Sequence, residues 1–71
     1  MFKAVCVIDK ANGAVLAQFV LIPALLALSE FSVEFGDGLQ RLFVIRNAKT
    51  RTVIDSVAIG DCPIKIVTKN I

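Results

Sequence analysis

The side chains of this sequence with the capacity for chemistry are two cysteines, six carboxylates and eight cations, and there is no histidine among them. Without imidazole, a serine or cysteine nucleophile lacks its usual base and no His-bearing metal site can form. Cys6 and Cys62 stand far apart and match no CxxC or other ligand spacing. A bridge between them would be worth about 4 kcal/mol in the chain-entropy model. Nothing signals an oxidising compartment, however, because the apolar run after Lys3 meets Asp9 too soon for a secretory segment. Both are read as free thiols, Cys6 in a strand and Cys62 in the loop before Pro63.

The carboxylates Glu30, Glu34, Asp37, Asp55 and Asp61 show no spacing that would pair two of them for acid and base work. Gly36-Asp37-Gly38 reads as a turn, since neither the dinucleotide pattern nor a Lys-Ser/Thr ending follows it. Asp61-Cys62-Pro63, with Lys65 beyond, lacks the defined electropositive pocket that an activated thiol needs. The expectation is a protein that is not an enzyme and that holds no metal and no cofactor.

The cations make a sharper case. Arg41, Arg46, Lys49 and Arg51 fall on one expected hairpin, with Arg46 near Arg51 and Lys49 at its tip, and could grip phosphate. Small barrels of this size often bind nucleic acid, so a nucleic-acid module using the 41–51 hairpin is the alternative functional reading. Against it, the net charge is only +2 and there is no Tyr or Trp on which bases could stack. A solvated turn is the plainer explanation.

The apolar residues carry the leading reading. In 71 residues, 56% are hydrophobic and 20% charged, with a mean hydropathy of +0.77. A chain this short buries only about 60% of its unfolded surface when it folds alone, so apolar material is left for something else to cover. Residues 1–28 carry only Lys3, Asp9 and Lys10 as charges. Self-association of this part, into a homo-oligomer or a larger assembly, is therefore expected, with Val5, Val7, Phe19, Val20, Leu21, Leu25 and Leu28 as the interface. The partner is the chain itself, and the setting is the cytoplasm, or a virion or other assembly. A membrane span over the uncharged residues 11–29 is a lesser alternative, because Asn12-Gly13, Gln18 and Pro23 interrupt it.

The elements that must position these residues read as mainly β. Five or six short antiparallel strands, as a small barrel or sandwich, accompany one short helix after Pro23; an all-β fold is the alternative. All 71 residues are expected to form a single small domain. Phe2 to Ile8 is strand-like and apolar on both faces, Asn12-Gly13 supplies a tight hairpin, and Ala14 to Ile22 returns. Pro23 to Glu30 has strong helix formers and no β-branched residue. Phe31, Val33 and Phe35 then alternate with Ser32 and Glu34, which predicts a strand with its phenylalanines in the core and one wet face. Leu39 to Arg46 and Thr52 to Ile59 follow as strands, the latter with Val53, Asp55, Val57 and Ile59 on one side. Ile64 onward closes as an edge strand guarded by Lys65 and Lys69. The stretch from Val7-Ile8-Asp9-Lys10-Ala11 to Val15-Leu16 echoes that from Val44-Ile45-Arg46-Asn47-Ala48 to Val53-Ile54, with one extra residue in the second turn; this reads as the ordinary likeness of two hairpins.

Overall fold

The computed structural model describes residues 2–71. The chain is mainly β, with six strands: β1 (Lys3–Asp9), β2 (Val15–Leu21), β3 (Ser29–Phe35), β4 (Arg41–Asn47), β5 (Val53–Ala58) and β6 (Ile64–Asn70). One short helix, α1 (Pro23–Ala27), follows β2, and a 3-10 turn spans Asp37–Leu39. Every pairing is antiparallel, in two three-stranded sheets ordered β2-β1-β6 and β3-β4-β5. The chain divides into two compact units, Met1–Leu26 with Cys62–Ile71 (unit 1) and Ala27–Asp61 (unit 2).

In unit 1 the middle strand β1 is apolar on both faces because both are covered: Ala4, Val5, Cys6 and Val7 are all buried. Its hairpin to β2 is set by turn chemistry. The Asp9 N–H donates to Ala14 O at 2.8 Å, the Gly13 N–H donates to Asp9 O at 2.8 Å, and the Asp9 carboxylate accepts from the Ala11 N–H at 2.9 Å. Gly13 has φ +76°, the left-handed region that the Asn-Gly pair supplies. A Cβ at Gly13 would meet nothing within 4 Å, so Gly13→Ala tests backbone conformation alone. It is expected to cost about 1 kcal/mol, left-handed strain less the entropy an alanine removes from the unfolded chain. An unchanged denaturation midpoint would show that the turn tolerates another conformation.

Unit 2 repeats this construction 38 residues on, taking Asp9 to Asn47. The Asn47 N–H donates to Thr52 O at 2.9 Å, the Arg51 N–H donates to Asn47 O at 2.8 Å, and the Asn47 side chain accepts from the Lys49 N–H at 2.9 Å. Arg51 holds the left-handed position with φ 62°. The register irregularity between Val7 and Ile8 recurs between Ile45 and Arg46. The third strands correspond as well: Lys10 N–H donates to Pro63 O as Ala48 N–H does to Leu28 O, and Ile71 N–H to Phe2 O as Gly36 N–H does to Gln40 O. The echo in the sequence is thus a structural repeat, and its alignment moves by one residue, Val7 matching Ile45 rather than Val44. Unit 2 is a continuous meander, whereas unit 1 takes its third strand, β6, from the far end of the chain.

The structure differs from expectation at β4, which begins at Arg41 because Leu39 lies in the 3-10 turn, and also at α1 and β5. The helix ends at Ala27 rather than near Glu30, because Ser29 and Glu30 pair with Asn47 and Arg46 in the β3–β4 ladder; strand pairing outweighs local helix propensity. On β5 the irregularity beside Arg46 sets Val53 opposite Arg46 while Asp55 stays opposite Ile45. Val53 therefore leaves the side it was expected to share with Asp55 and Val57.

Candidate interaction surface

The strand registers define the faces. In unit 1, Ala4, Cys6 and Ile8 lie opposite Val20, Gln18 and Val15 on β2, and opposite Lys69, Val67 and Lys65 on β6. The small middle residues Ala4 and Cys6 are buried, but Val15 and Val20 beside them are more than half exposed, and Val67 is exposed too. Gln18 accepts a weak hydrogen bond from the Cys6 thiol at 3.9 Å. On this face, exposed apolar side chains of β2 and β6 stand beside Gln18, Lys65 and Lys69 around a buried middle strand.

The expected interface residues separate. Val5 and Val7 are 0% exposed and Leu21 is also buried, so these three belong to the interior of the chain and are not offered to a partner. Val20 and Leu28 are exposed, and Phe19 and Leu25 are half-buried. Val15, Leu16 and Ile22, absent from the expected set, are exposed. Each lies on or just beyond β2, which stands at the edge of its sheet among the described residues, a position that only the strand order discloses.

Apolar exposure is not confined to residues 1–28. On β3, Phe31 and Val33 are exposed and Phe35 is 68% exposed, whereas Ser32 and Glu34, on the face expected to be wet, are half-buried. The alternation of faces is as predicted and the burial is inverted. On the Ser32 and Glu34 face the Arg46 guanidinium grips Glu34 through two hydrogen bonds, Nε to Oε2 at 3.0 Å and Nη2 to Oε1 at 2.8 Å. Glu34 lies opposite Leu42 and Arg46 opposite Glu30, so the side chain passes the Ser32–Val44 pair to reach it. Phe31 keeps a stacked contact with buried Phe43, ring centroids 6.0 Å apart.

The same contacts settle where the four hairpin cations stand. Arg46 is bound to Glu34 and also donates from Nη1 to Arg51 O at 3.0 Å, so Arg46 and Arg51 are neighbours as expected. Arg51 forms its own ion pair with Glu30. Arg41 donates from Nη1 to Gly60 O at 3.3 Å, and Lys49 is exposed at the turn. Two of the four positive charges are thus matched by carboxylates on the same sheet.

The Glu34 carboxyl is drawn from 4.5 to about 2, first by the Arg46 hydrogen bonds and then by the Ser32 hydroxyl, which donates to Oε2 at 2.8 Å. A carboxyl more acidic when folded than unfolded stabilises the fold above its unfolded pKa, and that contribution is lost as pH falls through the folded value. The window here runs from about 4.5 down to about 2. Glu34→Gln is expected to flatten the decline of the melting midpoint across that window, followed by circular dichroism at a series of pH values; an unchanged slope assigns the acid sensitivity to other groups.

Neither cysteine is in a disulfide; Cys6 is buried and Cys62 half-buried. Among the described residues no three His, Cys, Asp or Glu side chains gather as a metal site would require. No helix among them is long and apolar enough to cross a membrane, and residues 15–27 are divided between β2 and α1. Comparison with protein-family models, with curated proteins and with solved structures gives no match to this chain.

Proposed function

We propose that this protein is a non-enzymatic structural or interaction subunit, associating with copies of itself, or into a larger assembly, through the exposed apolar side chains of residues 1–28. The observation that supports the reading is the exposure itself. Fourteen large apolar side chains of the described residues are more than a third exposed in the single chain, among them Val15, Leu16, Val20, Ile22 and Leu28 within the part of the sequence with almost no charge. Exposed apolar surface of this kind marks interaction sites where it gathers into patches, and homo-oligomer contacts are the more apolar kind of interface.

Size-exclusion chromatography with light scattering is the test. The chain at micromolar concentration is expected to run as a dimer or larger species. Val20→Lys is expected to weaken it at least roughly tenfold, while Lys49→Glu, at the exposed turn of unit 2, leaves it unchanged. Val5 cannot serve in this test, since a charge there would disrupt the interior of unit 1. A sharply monomeric wild-type chain ends the proposal.

A further inference from the structure

Resting on that reading of self-association, we infer that the contact between copies is made by the outer edge of β2, which pairs antiparallel with β2 of a second copy about a two-fold axis at Gln18.

The four edge strands of the two sheets are β2, β6, β3 and β5. An edge strand presents unpaired N–H and C=O groups at alternate residues, a template for another strand unless charge or shape blocks it. Three of the four carry charged side chains that centred self-pairing would set against each other or against an apolar neighbour. Centred antiparallel self-pairing of β3 about Ser32 sets Glu30 against Glu34 of the other copy, and that of β6 about Val67 sets Lys65 against Lys69. On β5, Asp55 meets either its own counterpart or Val57, depending on the centre. Like charges directly opposite destabilise a pair, and a carboxylate against an apolar side chain leaves it unmatched.

β2 alone carries no charged side chain: Val15, Leu16, Ala17, Gln18, Phe19, Val20, Leu21. A two-fold axis at its central residue matches Leu16 with Val20, Ala17 with Phe19 and Gln18 with Gln18. Within the regular part of the strand Ala17 and Phe19 keep their side chains on one face, a small residue meeting a large one, and the two Gln18 amides can hydrogen-bond. Leu16 and Val20 are exposed, and pairing would set apolar side chains of the two copies beside one another. The irregularity beside Leu16 lies toward one end of the strand and leaves Ala17 to Leu21 in regular register with β1. The product is a continuous six-stranded sheet, β6-β1-β2 joined to its symmetry mate, whose outer strands are the lysine-bearing ones. That contact closes on itself rather than propagating.

A charge-reversal pair at Gln18 tests this directly. Gln18 is exposed, so Gln18→Lys and Gln18→Glu are expected to fold, as far-ultraviolet circular dichroism will show. Each variant alone places like charges against each other and is expected to dissociate at least roughly tenfold more readily than the wild type, while an equimolar mixture recovers a heterodimer by light scattering. A wild-type chain that associates while both variants associate equally tightly overturns the β2 edge and leaves self-association standing. Variants that dissociate alone and are not restored by mixing overturn the register at Gln18. A monomeric wild-type chain overturns the underlying reading itself.

Discussion

Replacing Phe43 with alanine is expected to cost about 3–5 kcal/mol, against a total stability of roughly 4–11 kcal/mol for a chain of this length. Phe43 is among the largest fully buried side chains, sits in the middle strand of unit 2 opposite Val33 and Val57, and stacks on Phe31. Its removal opens a cavity that neighbouring strands held by their ladders cannot readily fill. The chain is expected to approach unfolding at room temperature. With no Trp or Tyr for fluorescence, urea titration followed by circular dichroism is the measurement. Phe35→Ala is the control: on the same face but exposed, it should cost less than about 1 kcal/mol. Equal effects from the two would mean that Phe43 is not the anchor of unit 2.

The second large effect concerns β6. Ending the chain at Asp61 removes the strand that pairs with β1 from Lys3–Asn70 to Asp9–Ile64. It uncovers the edge of a strand that is almost wholly apolar along Ala4-Val5-Cys6-Val7-Ile8. A bare two-stranded hairpin is at best marginally stable in water, and an exposed apolar edge is a site of aggregation. The truncated chain is expected to lose its cooperative melting transition and to precipitate at concentrations the full chain tolerates. A truncated chain that melts at the wild-type midpoint would show that β6 is a passenger.

How far the sequence discloses this molecule depends on which physical rule governs each part. Strand identity was legible wherever alternation or turn chemistry was strong, as at Asn12-Gly13 and along Phe31, Val33 and Phe35. The reach of α1 was not, because Ser29 and Glu30 answer to β4, a partner that no local window contains. The repeat was half legible. Its identities, such as Val15 with Val53, are few, while its substance lies in register and hydrogen bonds shared by unlike residues, Gly13 with Arg51 and Asp9 with Asn47. For the candidate interface, the shortage of charge in residues 1–28 directed attention to β2 but could not separate Val5 and Val7, which are interior, from Val15 and Leu16, which are not. That separation needs to know that β1 is central and β2 is at an edge. The ion pair of Glu34 was beyond reach for a similar reason, since it turns on where Arg46 reaches across the sheet.

The borrowed strand of unit 1 also bears on the order in which a ribosome delivers this fold. Every residue of unit 2 has emerged once Asp61 is out, and its contacts link neighbouring strands, the kind that form early. Unit 1 begins first and is completed after unit 2: its opening hairpin must wait for β6 before its central strand is flanked on both sides. During that interval the greasiest stretch of the molecule stands half clothed, so translational pausing between the two events is a point at which a chaperone would have most to do.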